Sequence, residues 1–311
     1  MLREDLMARA VSRLQSLGFD VFSSHDIGGC FDIACRKDGR LFLLKVLSNI
    51  DSLDMASSRQ LAAVAQVLGA DCLVIGVRSK SYVLENGVAY ERHGLLACTI
   101  DTMESVVGGG YVLERKFRRK MSQLDGDSLK KLRESRELTI AQLARISGVS
   151  EDTIYRYEHS LTLATQQNIG RLESALGEGI GRLSVVGASR RGRHEQGSNP
   201  MIFDFFGFNA VRTAGPADIV GSSSGASGRR KDASGRVSMV SESDRDMRTL
   251  ERKSAQFELL SKAICANPFF IVKKTSGRQR VGSIPMLTHE EIAAIRSPED
   301  LVRALEEKKK K

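Results

Sequence analysis

The sequence contains no tryptophan, and aromatic residues make up only 5% of its 311 positions. This scarcity argues against a large aromatic-lined ligand cavity and against rows of aromatic side chains that stack on single-stranded nucleic acid. Apolar runs, such as those at 41–44 and 201–208, are far shorter than the roughly 18 residues of a membrane span. Because Met1–Asp5 also lacks an apolar signal core, we expect a soluble, cytoplasmic protein with no membrane partner.

Metal-binding cysteine pairs are missing as well. The five cysteines form no Cys-x-x-Cys pair, and the five histidines are scattered along the chain. This pattern favours free thiols in a reducing compartment over a zinc site or a disulfide framework. We therefore predict that the protein has no cofactor and no metal site.

Positive charge, by contrast, is in excess. The formal net charge is +9 and the pI is about 9.4, a balance that suits a polyanionic partner without proving one. Basic clusters lie at 115–120, 190–193, 229–231 and 308–311. The terminal lysines are typical of solvated surface, whereas the cluster at 115–120 directly precedes the helical segment described below.

Periodicity and composition predict two αβ domains that flank a helical domain. In the first, a hairpin over 31–46, a helix over 56–69, a strand pair within 82–90 and a last helix opened by Thr102 are expected. The predicted boundaries are an αβ domain at 1–110, a basic arm at 111–124, a helical domain at 125–181, a Gly/Ser/Arg-rich linker at 182–200, and a second αβ domain at 201–311 with a disordered loop at 221–235.

The second αβ domain repeats the first in outline. Four landmarks of the first domain recur in the same order, although ordinary alternation of strands and helices could also produce such echoes. The segments at 17–21, 31–34, 72–77 and 102–107 are echoed at 206–211, 217–220, 268–273 and 297–302. We interpret residues 201–311 as a second copy of the first domain.

The segment 128–158 shows the pattern of a helix-turn-helix. Thr139 is a natural N-cap for a helix, Gly148 permits the positive φ of a tight turn, and Ser150 is a natural N-cap for the helix that follows. Ile154 and Tyr157 are expected to face the core, so that the other side of this helix points outward.

This segment resembles the lambda-repressor/Cro type of helix-turn-helix domain over about residues 125–180, including the closing Leu172–Gly177. The resemblance departs at His159 and Ser160, where the family usually has a glycine. It implies that the helix at 150–159 enters the major groove of double-stranded DNA. The implied DNA-binding residues are Thr139, Gln142, Ser150, Glu151, Asp152, Thr153, Tyr155 and Arg156, and the basic arm adds Arg118, Arg119 and Lys120.

The first domain resembles the restriction-endonuclease and Holliday-junction-resolvase fold. In that fold an Asp and a Glu-x-Lys motif hold Mg²⁺ and activate water. Glu4, Asp32 and Lys45 match family positions, but the glutamate of Glu-x-Lys falls on Leu43. In the second copy Asp218 remains, while the predicted strand 236–240 offers neither Glu nor Lys. We therefore expect no catalytic residues and no phosphodiester cleavage.

The whole arrangement is similar to the archaeal family of putative HTH-type transcriptional regulators. It implies a multidomain α+β protein, with two restriction-endonuclease-like domains flanking an all-α helix-turn-helix domain. The expected function is sequence-specific binding of double-stranded DNA as a homodimeric transcription regulator, with no effector identified. Two alternatives stay open: a metal-dependent DNA endonuclease with a second carboxylate from Asp26 or Glu4, and a protein-interaction adaptor.

Overall fold

The computed structural model describes residues 2–23, 29–108, 113–116, 119–122, 124–177, 208–212, 219–223, 238–243, 247–273 and 277–310. The predicted linker at 182–200 lies outside the described residues, as does the predicted disordered loop from 224 onward. The first three residues of that loop, 221–223, are wrongly predicted, because they end a strand that pairs with a strand on either side. Within the described residues, no helix combines the length and apolarity that crossing a membrane requires.

Residues 2–108, here called lobe 1, form an αβ unit around six strands. Its helices are α1 (Arg3–Ser16), α2 (Met55–Leu68) and α3 (Ile100–Val107). Its strands are β1 (Asp20–Ser23), β2 (Ile33–Lys37), β3 (Arg40–Asn49), β4 (Asp71–Arg78), β5 (Val88–Arg92) and β6 (Leu95–Cys98). They lie in the order β1-β2-β3-β4-β6-β5.

Strand β3 is apolar on both faces because helices cover both sides of the sheet. Phe42 and Leu44 pack in one cluster with residues of α1 and α3. Leu41 and Leu43 pack in the opposite cluster with residues of α2. The continuous apolar run in β3 therefore reflects two buried faces.

The local predictions for lobe 1 are largely confirmed. The hairpin over 31–46 is present, with Lys37 opposite Arg40, and α2 ends at Gly69 in the left-handed conformation (φ 62°). The strand pair expected within 82–90 is wrong: β5 and β6 turn at His93 and Gly94, which both have positive φ.

The N-cap of the last helix of lobe 1 also differs from the prediction. Thr99, not Thr102, caps α3, and its hydroxyl accepts from the Thr102 N–H. The Thr102 hydroxyl instead accepts from the Gly87 N–H. A threonine just inside a helix thus resembled a cap in the sequence but serves to hold the preceding loop.

Residues 208–310, here called lobe 2, repeat this sheet. The strands are β10 (Phe208–Arg212), β11 (Ile219–Ser223), β12 (Ser238–Ser243), β13 (Asn267–Val272), β14 (Arg280–Val281) and β15 (Ile284–Thr288). The helices are α8 (Met247–Ile264), α9 (His289–Ala294) and α10 (Pro298–Lys310). The order β10-β11-β12-β13-β15-β14 corresponds strand by strand to that of lobe 1, which supports the predicted second copy.

The two lobes pack on each other reciprocally. Helix α2 of lobe 1 contacts β10 and β11 of lobe 2, and α8 of lobe 2 contacts β1 and β2 of lobe 1. The Ser222 hydroxyl donates to the Val67 carbonyl near the end of α2, and the Arg36 guanidinium donates to the Ile264 carbonyl at the end of α8. Buried residues of both lobes form one continuous apolar cluster.

The helical segment between the lobes is joined to lobe 1 through the sheet. It contains α4 (Gly126–Ser135), α5 (Ile140–Ser147), α6 (Glu151–Glu158) and α7 (Gln166–Leu176). Strand β7 (Leu113–Lys116) pairs with β5, and β8 (Arg119–Ser122) pairs with both β7 and the two-residue strand β9 (Ala164–Thr165). The predicted basic arm is therefore largely a hairpin that extends the lobe 1 sheet to nine strands.

Candidate nucleic-acid interface

Helix α6 is built as an amphipathic helix with one exposed face. Ser150 caps it by accepting from the Thr153 N–H, and Glu151 and Asp152 stabilise its first turn. Ile154 and Tyr157 are buried in the core of the segment. The remaining side chains on the opposite side are exposed, so α6 offers a polar face to a partner.

Helix α5 and the turn before α6 position that face. Thr139 and Gln142 form a reciprocal capping box at the start of α5. Gly148 ends α5 with φ 65°, the left-handed conformation that favours glycine, and the next residue, Val149, is buried. These features confirm the N-caps and the turn expected from the sequence.

A buried ion pair holds the far end of α6 against α4. Arg133 donates through Nε and Nη2 to the two carboxylate oxygens of Glu158, at 2.6 and 3.0 Å. Arg133 also donates to the Leu138 carbonyl. Helix α4 begins so close to the end of α6 that a Cβ on Gly126 would lie 2.1 Å from the Glu158 carbonyl oxygen. Both contacts fix the orientation of α6.

The exposed face of α6 carries a charged pair and an aromatic pair. Arg156 lies 3.8 Å from Asp152, and these two side chains are 55% and 79% exposed. The Tyr155 ring packs on the His159 ring with centroids 4.1 Å apart, while His159 Nδ1 lies 2.8 Å from the Tyr155 carbonyl oxygen. Arg156 supplies donors to this face, Asp152 supplies acceptors, and Tyr155 supplies an apolar surface.

The departure at His159 and Ser160 preserves the backbone conformation. Ser160 has φ 53°, in the left-handed region where the resembling family usually has a glycine. The turn after α6 is therefore kept, with a serine in a position that glycine would occupy more easily.

The structure brings together most of the predicted DNA-binding residues. Ser150, Glu151, Asp152, Thr153, Tyr155 and Arg156 lie on α6 or its cap, and Thr139 and Gln142 lie at the start of α5. Gln142 Oε1 already accepts from the Thr139 N–H, so only its amide NH₂ is offered outward. Arg119 and Lys120 lie on β8, but the structure does not describe their side chains. Arg118 lies outside the described residues entirely.

Charge near α6 is distributed unevenly. Acidic residues slightly outnumber basic ones within 125–177, whereas the adjoining segment 113–122 is strongly basic. Strand pairing places Arg115 opposite Lys120 and Lys116 opposite Arg119. The basic positions next to the helix-turn-helix therefore lie on a fixed sheet extension.

The nuclease-like position in lobe 1 contains an ion pair with a single buried carboxylate. Asp32 is fully buried, and its Oδ1 accepts from Arg3 Nη2 at 2.7 Å and from Lys45 Nζ at 3.2 Å. Its Oδ2 accepts from the Val46 N–H. Leu43, at the position of the family's glutamate, is buried among apolar residues. Glu4 is exposed, and it is Arg3 from the same helix turn that contacts Asp32.

This position does not fit the metal of a restriction-endonuclease-like centre. Mg²⁺ and Mn²⁺ prefer several oxygen ligands, and the described residues contain no group of three or more His, Cys, Asp or Glu side chains that could hold a metal ion. Asp26, the other candidate carboxylate, lies outside the described residues. Arg3 was not predicted as a site residue from the sequence. The only local signal for it is that it is a basic residue at the start of the helix that precedes β1.

The corresponding position in lobe 2 corrects one prediction. Strand β12 extends to Ser243 and so contains Glu242, contrary to the expectation that this strand offers no Glu. Ile33 pairs with Leu44 and Ile219 pairs with Ser241, so Glu242 has the register position of Lys45. Asp218 and the Glu242 side chain lie outside the described residues. The strand was predicted to end too early because polar residues follow Val240.

Two family profiles match the chain. A profile described as a PD-(D/E)XK superfamily domain matches residues 3–112, and one described as helix-turn-helix matches residues 129–183. These matches agree with the resemblances of lobe 1 and of the central segment. The chain is similar to one family in each of these two regions.

Curated archaeal proteins match over nearly the whole length. A "Putative HTH-type transcriptional regulatory protein" of Methanothermobacter thermautotrophicus is 28% identical over 99% of this chain and 97% of its own length. This chain is therefore similar to that protein along nearly the whole of both sequences.

Other relatives agree with this relationship. A protein of the same name from Methanobrevibacter smithii is 26% identical over 99% of both chains. One from Methanocaldococcus jannaschii is 33% identical over 51% of this chain and 50% of its own. No solved structure matches the chain significantly. The printed names of these relatives describe transcriptional regulators, and the profile that matches 129–183 is described as a helix-turn-helix.

Proposed function

We propose that the chain binds double-stranded DNA sequence-specifically and regulates transcription, with α6 in the major groove. The observation that carries this proposal is the division of α6 into two faces. Ile154, Tyr157 and Glu158 are buried, whereas Asp152, Tyr155 and Arg156 are about half exposed or more. A short helix with a fixed inner face and a polar outer face suits groove recognition.

The charged pair on α6 suggests which bases are read. Arginine donors match the O6 and N7 acceptors of guanine, and an aspartate can accept from cytosine N4. Arg156 and Asp152 lie one helical turn apart on the same face, so both can reach neighbouring base pairs. We therefore expect the preferred site to contain G·C pairs beneath α6.

Contacts to the DNA backbone would come from the helix N-termini and the basic hairpin. Thr139 and Ser150 begin α5 and α6, where backbone N–H groups favour phosphate. Because acidic residues slightly outnumber basic ones in 125–177, affinity needs the basic positions of β7 and β8.

A homodimer is part of this proposal. Each chain has one recognition helix, which alone covers limited base-edge surface, so two copies would read two half-sites. The α2 and α8 faces are already packed between the lobes of one chain, so the second copy would use another surface. We further propose that the protein acts in the cytoplasm. Sedimentation of protein–duplex mixtures tests the stoichiometry: one chain per selected duplex would contradict the dimer.

Selection from a random duplex library followed by substitution tests the recognition helix. Arg156→Ala is expected to lose about 1–3 kcal/mol of discrimination at one base position. Arg118→Ala is expected to weaken all sequences alike and to lower the salt slope by about one. Arg145→Ala, an equal change of charge on exposed α5, is the matched control. Equal losses on selected and random duplexes for Arg156→Ala would count against major-groove reading.

A metal-dependent endonuclease is the second candidate, favoured by the PD-(D/E)XK match and by Asp32 and Lys45. We propose that the chain is not an enzyme, because Leu43 stands at the position of the second carboxylate and Arg3 forms an ion pair with Asp32. Incubation with plasmid DNA and Mg²⁺ or Mn²⁺ separates the two. Cleavage that Asp32→Ala abolishes would establish the nuclease instead.

A further inference from the structure

The buried carboxylate of Asp32 in lobe 1 forms an ion pair with the guanidinium of Arg3. Arg3 Nη2 lies 2.7 Å from Oδ1, while Arg3 Nε donates to the Val46 carbonyl at 3.1 Å. The guanidinium therefore bridges the carboxylate and the backbone of β3, which fixes its orientation. Asp32 is 1% exposed, whereas Arg3 is 47% exposed, so the pair lies at the rim of the sheet with its anion inside.

The other cation at this position is also fixed. Lys45 Nζ donates to the Gly29 carbonyl at 2.6 Å and to Asp32 Oδ1 at 3.2 Å. Lys45 has the motif position of the lysine that accompanies the metal in the resembling nucleases. Two protein cations thus share one carboxylate oxygen, which leaves that oxygen a poor ligand for a divalent ion.

The net charge at this position equals that of a nuclease centre that contains a metal ion. A divalent ion, two carboxylates and one lysine would carry a net charge of about +1 at such a centre. Arg3, Lys45 and Asp32 carry the same net charge without a metal. Replacing the metal by a guanidinium, and the second carboxylate by the neutral Leu43, conserves the balance that buried Asp32 requires.

We propose that the Arg3 guanidinium takes the place of the divalent metal in lobe 1, so that this lobe is stable without a metal and does not bind one at Asp32. Arg3 is then a structural counter-ion that ties α1 to β2 and β3. This inference concerns lobe 1 alone and does not depend on DNA binding by α6.

Substitution of Arg3 in the full chain, with Mn²⁺ as the probe, tests the proposal. Arg3→Glu places a second carboxylate beside Asp32. Position 3 is partly exposed, so this substitution avoids burying a charge, as a glutamate at the buried position of Leu43 would. Arg3→Glu is expected to lower the Tm by at least about 3 °C without metal and to recover most of that loss with Mn²⁺. Arg3→Ala is the second variant, expected to show a smaller loss and a smaller recovery.

Arg13 provides a matched control on the same helix. It is 49% exposed and pairs with Glu104, which is itself 36% exposed. Arg13→Ala makes the same chemical change as Arg3→Ala away from Asp32, and it is not expected to gain a response to Mn²⁺. Binding of Mn²⁺, followed by calorimetry or electron paramagnetic resonance, should be at least about tenfold tighter in Arg3→Glu than in the original chain.

Two outcomes would overturn the proposal. One is Mn²⁺ binding by the original chain as tight as that by Arg3→Glu, with loss of that binding in Asp32→Asn. The other is an Arg3→Ala variant that keeps its Tm and gains no Mn²⁺ response, whatever the fate of Arg3→Glu. Mn²⁺-dependent recovery confined to the two Arg3 variants would support it.

Discussion

Lobe 1 and lobe 2 share strand order, and each contributes one helix to the sheet of the other. Leu61 on α2 and Phe257 on α8 occupy equivalent positions relative to the strands that follow, and both are buried in the shared cluster. The polar positions differ: Lys45 in lobe 1 corresponds to Glu242 in lobe 2. Apolar positions that face the other lobe are retained, whereas the lysine of the nuclease-like centre is not, although Asp218 still matches Asp32 in the sequence.

This difference shows which residues the fold depends on. A buried apolar face must pack against another element, and here each lobe covers the other. The charged position on the paired strand differs, Lys45 on β3 and Glu242 on β12, while the strand order stays the same. The nuclease-like topology of a lobe is therefore no guide to nuclease chemistry.

Truncation of the interfacial helices should have the largest effect. Leu61→Ala is expected to cost about 2–5 kcal/mol and Phe257→Ala about 3–5 kcal/mol of unfolding free energy, because each leaves a cavity in the shared cluster. Urea unfolding followed by probes in both lobes should show one shifted transition. Leu259→Ala, on the exposed side of α8, is the control and should change little. Separate transitions, with only one lobe shifted, would show that the lobes are independent.

The sequence alone predicted the features that depend on neighbouring residues. The hairpin over 31–46 and the N-caps Thr139 and Ser150 follow from turn and cap chemistry within a few residues. The recognition helix was found for the same reason, because its buried and exposed positions alternate over a single short helix.

Features that depend on distant residues were not predictable. Arg3 and Asp32 are 29 residues apart, and Arg36 and Ile264 are 228 apart. The pairing of β7 with β5 joins a basic segment to a sheet edge without any signal in the local pattern. Such contacts are set by how whole elements pack, which propensity and periodicity do not describe.

Removing a single hydrogen bond between the lobes should have an intermediate effect. Ser222→Ala is expected to cost about 0.5–1.5 kcal/mol, because Ser222 is buried and its hydroxyl donates to the Val67 carbonyl. Ser254→Ala removes an exposed hydroxyl that donates within α8 and is the matched control. Denaturant titration of both variants measures the difference. No difference between them would mean that this contact adds nothing to the pairing of the lobes.

Acid should distinguish the lobes by a smaller effect at equivalent helix caps. Thr99 and Thr288 follow β6 and β15 at matching positions, but only lobe 2 has a carboxylate, Glu291, in its capping box. Burial alone would raise the pKa of Glu291, yet hydrogen bonds from Lys308 and the Thr288 N–H lower it below the ordinary 4.5. The ionised form thus stabilises the fold.

Because the pKa of Glu291 is lower in the folded than in the unfolded chain, its contribution is complete above the unfolded pKa. It decreases as the pH falls through about 4.5 and is lost below the folded pKa. Amide hydrogen exchange, corrected for the intrinsic pH dependence, should therefore lose protection in α9 before α3 over this range. Glu291→Gln should remove the difference while keeping an acceptor for the Thr288 N–H. Equal loss in both helices of the original chain would mean that acid acts on the shared cluster rather than on this cap.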